Sequence, residues 1–432
     1  MTTSLTPKTP PLRGSISIPG DKSITHRAVI LSCLAEGLSE IKGYLPAQDC
    51  LRTIQAFQEM GISIRPDHRE GSPSLFVDGK GLRGLTEPGD VLDCGNSGTT
   101  MRLLAGLLSG QSFFSVLSGD PSLRNRPMRR IVDPLKMMGA DIRGRANDAH
   151  APLGVSGKPL SPIEYALPIP SAQVKSAILL AGLTGSGPTT ILEPCPSRDH
   201  TERMFQHFGI PLTRKRGSLS LAGDQRFSGR KIEVPGDLSS AAFFLVAGTL
   251  VEGSEMTLCN VGVNPTRTGI LDILNQMGAD IRLDRKRTSA FEPLADLHVR
   301  SRPLKGVKIE GELILRAIDE FPILCVAAAK AEGETVIRGA ADLRHKESDR
   351  IETMATALRG MGVEVETFPD GIRIVGKERW QGSHCRTAGD HRVAMAMAVA
   401  GLIATGGNII DDTDCISISF PGFFDLLSIL GS

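Results

Sequence analysis

The chain has 432 residues, enough for two or three domains with substantial cores, and its 41% hydrophobic and 22% charged content is ordinary for a soluble globular enzyme. Aromatic residues make up 4%, with one Trp and two Tyr, and the formal net charge is +1. These values argue against a protein that stacks bases or is drawn as a whole to nucleic acid or membrane, so any anion site must come from local clusters. The eight cysteines (Cys33, Cys50, Cys94, Cys195, Cys259, Cys325, Cys385 and Cys415) show no CxxC spacing. They read as reduced thiols of a cytosolic protein, with neither a disulfide frame nor a zinc site. The N-terminal MTTSLTPKTPPLRG has no apolar stretch and only two basic residues, so neither a signal peptide nor a transit peptide is expected. No apolar run is long and uninterrupted enough for a membrane span.

In chain order, two kinds of helix alternate. The first kind is apolar throughout, rich in small residues and ends in Gly: SITHRAVILSCLAEG, SGTTMRLLAGLLSG, SAQVKSAILLAGLTGSG, DLSSAAFFLVAGTLVEG, DEFPILCVAAAKAEG and DHRVAMAMAVAGLIATG. A helix hydrophobic on nearly every side is buried. Short strand candidates follow these helices, such as EIKGY, TTILEP, TVIRGA and NIIDD. The second kind ends in Met/Phe-Gly and runs into an alternating segment: FQEMGISIR, LKMMGADIR, FQHFGIPLT, LNQMGADIR and LRGMGVEVE. Their glycines, Gly61, Gly139, Gly209, Gly278 and Gly362, suit a helix C′ position with positive φ, and the alternation suits a half-buried strand. A sixth helix, FFDLLSILG, reaches Gly431 and lacks a following strand, which the N-terminal LRGSISIPG could supply. The chain therefore reads as six helix–strand repeats.

Residues 16–30 (ISIPGDKSITHRAVI) are similar to residues 232–246 (IEVPGDLSSAAFFLV). Because these copies split the repeat series evenly, they are taken as two crossings between domains: residues 21–236 with three repeats, and residues 1–20 plus 237–432 with three more. The competing reading is that Pro-Gly-Asp is only a turn before a capped helix.

The buried helices open with polar residues: Lys22, Ser23 and Arg27; Asn96 to Thr99 and Arg102; Ser171, Gln173 and Lys175; Asp319 and Glu320; Asp390, His391 and Arg392. Helix N-termini carry free N–H groups and partial positive charge, so several such ends would form an anion site. Loops before the outer helices add Arg124 and Arg126, Arg198 and His200, Arg267, and Lys346, Glu347 and Arg350. Arginine suits bidentate contact with carboxylate or phosphate. Blander readings stand beside these. Ser23 and Ser171 could be N-caps. Lys346 and Arg350, four apart, could share a solvated helix face. Arg124, Arg126, Arg129 and Arg130 could be a surface cluster. GNSG matches neither common phosphate-loop pattern, and His26, His200 and His391 show no metal spacing. His391, between Asp390 and Arg392, could titrate near neutrality or be structural.

Together, PGDKSITHR, GNSGTTMR, RNRPM, SAQVK, RDHTE, NPTR, RHKESDR and DHR resemble the signature segments of the 5-enolpyruvylshikimate-3-phosphate synthase family, and SAQVK, RDHTE and NPTR resemble its bacterial class II. The resemblance spans nearly the whole chain. It implies an α/β fold, the two-domain inverted α/β barrel, with domain closure on shikimate-3-phosphate that builds the phosphoenolpyruvate site. It implies transfer of the enolpyruvyl group from phosphoenolpyruvate to shikimate-3-phosphate, a step of aromatic amino-acid biosynthesis and the target of glyphosate. Residue by residue, it implies that Ser23, Arg27, Ser171, Ala172, Gln173, Arg198 and Lys346 hold shikimate-3-phosphate. Lys22 would lie between both substrates. Gly98, Arg126, Gln173, Arg350 and Arg392 would hold phosphoenolpyruvate. Asp319, beside shikimate-3-phosphate, would be the base toward its 5-hydroxyl, and Glu347 with Lys22 would exchange the proton at the methylene carbon.

Neither metal nor organic cofactor is required, and a cytoplasmic monomer without nucleic-acid or membrane partners is expected. Two departures stand out. Some relatives carry Lys two residues before a C-terminal Phe-Pro, where this chain has Ile418; that cation is absent or replaced by Lys175 or Arg198. Gly98 stands where some herbicide-tolerant relatives carry Ala. The rival readings are UDP-N-acetylglucosamine enolpyruvyl transferase, which shares the fold and usually carries a reactive loop Cys, and a catalytically silent anion-binding repeat protein. A silent protein would be expected to have lost Lys22, Asp319 or Glu347, and all three are present.

Overall fold

The computed structural model describes residues 3–4, 10–67 and 72–431. It divides into two compact units. Gly20–Val234 with Thr288–Glu292 form one; Met1–Pro19, Pro235–Arg287 and Pro293–Ser432 form the other. Each has its own apolar core.

In the first unit, three four-stranded sheets have the orders 231–233, 36–42, 74–80, 63–67; then 92–93, 114–118, 150–156, 141–144; then 164–166, 189–192, 218–221, 212–215. The second unit has 13–17, 255–262, 292–300, 280–289; then 308–309, 334–337, 371–375, 364–368; and a three-stranded sheet of 384–385, 409–410 and 3–4. In every sheet the first two strands are parallel and the next pair antiparallel. A parallel pair needs a crossover: in four sheets a buried helix lies between the paired strands, whereas 36–42 with 231–233 and 13–17 with 255–262 join segments far apart in the chain.

The sixth sheet corrects one expectation. Its closing strand is Thr3–Ser4, antiparallel to Ile409–Ile410. The segment expected there, Arg13–Ser17, instead pairs in parallel with Glu255–Cys259 in the fourth sheet. Its counterpart Lys231–Glu233 pairs with Glu40–Lys42 in the first sheet. Each strand before a Pro-Gly-Asp turn thus sits in one unit while the helix that follows it in sequence sits in the other. Close backbone approach explains the glycine of the turn. A Cβ on Gly20 would lie 1.9 Å from the Gly43 carbonyl oxygen. Asp21 and Asp237 then cap the helices, accepting from the backbone N–H of Ile24 and Ser239 at 2.9 and 2.8 Å. The chain also leaves the second unit for five residues at the tip of the 280–300 hairpin, an excursion with no periodic signature in the sequence.

The glycines that end the outer helices, Gly61, Gly139, Gly209, Gly278 and Gly362, have φ of 85°, 90°, 77°, 93° and 80°, which an L side chain resists. Gly431 does not share this conformation; its φ is −96°. The inner helices are buried on all sides: Ile24 to Leu34 in Lys22–Leu34, and Leu238 to Thr249 in Leu238–Leu250. Small residues let two of them touch. A Cβ on Gly106 in Gly98–Ser109 would lie 2.2 Å from the Ala177 carbonyl oxygen in Ala172–Leu183. Gly106→Ala should therefore force these helices apart and cost about 1–3 kcal/mol, seen as a lowered thermal midpoint. Gly89→Ala, where a Cβ meets nothing within 4 Å, should change stability by less than about 0.5 kcal/mol.

Candidate functional site

The inner helices are buried along their length, so their polar groups gather in the first turns and in adjoining loops. In the first unit, Lys22 opens Lys22–Leu34 and its Nζ lies 2.9 Å from Asp49 Oδ2, at the start of Gln48–Glu59. Arg27 is buried. Its Nε donates to Thr201 Oγ1 (2.7 Å), Nη1 to the Ser23 carbonyl (2.9 Å) and Nη2 to Ser176 Oγ (2.8 Å). Burial brings the Arg27 pKa down to about 10, partly offset by Glu202, Asp21 and Glu292, while Arg198 pushes it further down. Arg27 remains a cation at neutral pH. Ser23 is not the cap, since Asp21 fills that role. Ser171 is a cap: its hydroxyl accepts from Val174 N–H at 3.4 Å.

Ala172 and Gln173 open the next helix. Gln173 Oε1 accepts from Arg102 Nη1 at 2.6 Å, and its Nε2 donates to Thr99 Oγ1 at 3.2 Å. Asn96 Oδ1 accepts from Arg126 Nη2 at 2.6 Å. Gly98 lies against both guanidinium groups: a Cβ there would be 2.9 Å from Arg102 Nη1 and 3.4 Å from Arg126 Nη1. Gly98, Arg126 and Gln173 thus gather around one helix N-terminus, and Lys22, Ser23 and Arg27 lie at the start of another, where Arg27 bonds to Ser176 in the helix that Ala172 opens. Of the arginine cluster, Arg129 is exposed but Arg126 is buried, so that cluster is not simply a surface patch.

The second unit centres on Arg350, which is fully buried. Its Nε lies 2.8 Å from Asp390 Oδ2, Nη2 2.7 Å from Glu347 Oε2, and Nη1 3.7 Å from Asp319 Oδ1. Arg392 Nη1 donates to the Asp319 carbonyl at 3.0 Å. One buried guanidinium therefore joins two candidate catalytic carboxylates. Lys346 stands just before the helix Arg350–Gly360, paired with Asp342 at 2.9 Å; it shares no solvated helix face with Arg350. Burial opposes ionisation of Asp390, but Arg350 overrides it and holds the carboxyl below the usual range. Burial alone would lower Arg350; Asp390, Glu347 and Asp319 raise it instead. Among the described residues, no group of His, Cys, Asp and Glu is placed to hold a metal ion.

The family model for EPSP synthase (3-phosphoshikimate 1-carboxyvinyltransferase) matches residues 7–427. A protein of Geotalea uraniireducens named 3-phosphoshikimate 1-carboxyvinyltransferase is 53% identical over 416 residues, 96% of each chain. One of the same name from Pelotomaculum thermopropionicum is 54% identical over 419 residues, again 96% of each. The chain belongs to the EPSP synthase family. A solved EPSP synthase from Acinetobacter baumannii, 44% identical, matches it with a TM-score of 0.88 over 100% of this chain and 98% of that one. The two-unit α/β architecture is the EPSP synthase fold.

This EPSP synthase does not use Lys175 as a substitute for the cation missing at Ile418. The Lys175 side chain is wholly buried, 3.1 Å from Glu193 and 2.7 Å from Glu202. That pairing, the Asp49 carboxylate on Lys22 and the Asp390 carboxylate on Arg350 were not assigned from the sequence. Asp390 is visible there as a helix-opening residue and Glu202 as the last residue of RDHTE, without a partner for either; Asp49 and Glu193 have no distinguishing pattern. Because the folded Asp390 carboxyl ionises more readily than an unfolded one, its contribution is present above the ordinary Asp pKa and is lost as pH falls through the folded value. Asp390→Asn should cost about 3–5 kcal/mol at neutral pH. The gap to wild type should narrow below about pH 4, measured by urea unfolding across that range. A constant gap would contradict the ion-pair account.

Proposed function

We infer that the chain carries out the reaction of its family: the enolpyruvyl group of phosphoenolpyruvate passes to the 5-hydroxyl of shikimate-3-phosphate, with release of phosphate. The hydroxyl oxygen bonds to the central enol carbon as it loses its proton, and the methylene carbon gains one. The tetrahedral intermediate then loses phosphate from that carbon and a proton from the new methyl group, restoring the double bond. The observation that carries the assignment of roles is the buried Arg350 joined to both Asp319 and Glu347. It supports Asp319 as the base toward the hydroxyl and Glu347, assisted by Lys22, as the group that exchanges the methylene proton.

Ser23, Arg27, Ser171, Ala172, Gln173, Arg198 and Lys346 bind shikimate-3-phosphate in this reading, and Lys22 touches both substrates. Gly98, Arg126, Gln173, Arg350 and Arg392 bind phosphoenolpyruvate, their charges stabilising the departing phosphate. The bonds to Arg27 and Arg126 support these roles because they pre-orient each guanidinium. The same reading takes the enzyme as a cytoplasmic monomer with neither nucleic acid nor membrane as partner, which sedimentation at working concentration checks for the monomer.

Phosphate release tests the reaction. It should require both substrates, and Asp319→Ala should slow it roughly a hundred- to ten-thousand-fold. Release with UDP-N-acetylglucosamine but not with shikimate-3-phosphate would transfer the assignment to the sister reaction.

Gly98 also bears on glyphosate. With no methyl group at this position the enzyme should be inhibited well below the millimolar range. In Gly98→Ala the added Cβ would lie 2.9 Å from the buried Arg102 guanidinium and 3.4 Å from that of Arg126, so side-chain ends rather than backbone must give way, and glyphosate inhibition should weaken by about tenfold or more. A millimolar inhibition constant for the wild type would contradict this.

A further inference from the structure

We propose that His26, Thr53 and Thr100 are positioning residues, forming a buried hydrogen-bonded chain that sets the Ser97–Gly98 turn in register with the helix carrying Lys22 and Arg27. The inference rests on the assignment of Gly98 and Arg126 to phosphoenolpyruvate. His26 Nδ1 lies 2.7 Å from Thr53 Oγ1, Thr53 Oγ1 lies 2.7 Å from Thr100 Oγ1, and Thr100 Oγ1 donates to Ser97 Oγ at 2.7 Å. All four side chains are fully buried. They come from three helices of the same unit, Lys22–Leu34, Gln48–Glu59 and Gly98–Ser109, with Ser97 as the cap of the last.

The bond from Thr100 to Ser97 sets the direction. Thr100 has one hydroxyl hydrogen, and when it is given to Ser97 Oγ, Thr53 donates to Thr100 and His26 Nδ1–H donates to Thr53. Burial, together with Lys22 and Arg27, keeps His26 neutral, its pKa well below the usual value. The unprotonated Nε2 is then the atom without a hydrogen-bond partner among the described residues.

Burying four polar side chains costs free energy unless they are paired, and apolar residues of the same shape would pack here without that cost. What the chain adds is a linkage. Its far end is the Ser97 cap, which accepts from Thr100 N–H at 3.2 Å and adjoins Gly98 and the Asn96 that holds Arg126. Its near end is on the helix of Lys22 and Arg27. That end is independently anchored by the Asp21 cap and by the bonds from Arg27 to Thr201 and Ser176. Cutting the chain therefore loosens the Gly98 turn and leaves the shikimate-3-phosphate side held.

Thr100→Val and, as a second variant on another helix, Thr53→Val remove one hydroxyl each with little change of shape. In steady-state phosphate release, kcat/KM for phosphoenolpyruvate should fall about five- to tenfold in each. KM for shikimate-3-phosphate should stay within about twofold, and Thr100→Ser, which restores the hydroxyl, should recover most of the loss. Unchanged kinetics in both variants, an equal effect on both substrates, or a Thr100→Ser variant no better than Thr100→Val would overturn the proposal. Wild-type enzyme that releases no phosphate would sink the functional reading and this inference with it. That result is distinct from an active wild type with unaltered variants, which overturns the positioning role alone.

Discussion

A helix buried on every side can offer chemistry only at its ends, and the six inner helices are in this position. Their flanks are filled by apolar and small residues, and the charges buried on or against them are paired. Arg27 and Lys175, on inner helices, are held by Thr201 and Ser176 and by Glu193 and Glu202; Arg350, which opens an outer helix, is held by Glu347 and by Asp390 at the start of an inner one. An unpaired charge at any of these depths would be driven to neutrality or would unfold its surroundings. The same constraint concentrates free N–H groups and partial positive charge at the helix starts. A nearly neutral chain can thereby bind strongly anionic substrates without a global positive field.

The pairing also explains why these cations are useful. Arg27 and Arg126 are each oriented by side chains that approach from other elements of their unit. A guanidinium held in this way loses little freedom when a phosphate or carboxylate arrives. Arg350 goes further. Its bonds to Asp390 and Glu347, and its approach to Asp319, make one buried cation the organiser of both carboxylates assigned to proton transfer. Asp390 touches no reacting atom in this account; it stabilises the charge on which the others depend.

Much of the local architecture was legible in the sequence. The Met/Phe-Gly joints marked outer-helix ends because positive φ demands glycine at five of them, and the all-apolar runs marked the inner helices because no solvent face was needed. The pairing of strands was not legible in the same way. Residues 1–20 are read with 237–432, but Arg13–Ser17 is expected to close the sixth sheet and instead pairs with Glu255–Cys259 in the fourth, as Lys231–Glu233 pairs with Glu40–Lys42 in the first. A strand's alternation records which face is buried, and says nothing of its neighbour. The site divides similarly. Helix-opening residues and the motif arginines could be picked out, whereas Asp49, Glu193, Glu202, Thr53 and Thr100 come together only by long-range packing. Lys175 shows the converse error: its charge drew attention in the sequence, and the fold buries it against two glutamates.

The account's central claim is that helix starts of the Gly20–Val234 unit receive the anionic substrates. The most direct test is a crystal structure of the enzyme with shikimate-3-phosphate and glyphosate bound. Shikimate-3-phosphate should appear with oxygen atoms within about 3 Å of Ser23, Arg27 and Ser171, and the glyphosate phosphonate or carboxylate at a similar distance from Arg126 and the Gly98 N–H. Ligand density away from these helix starts, with Arg27 and Arg126 making only their protein contacts, would contradict the account.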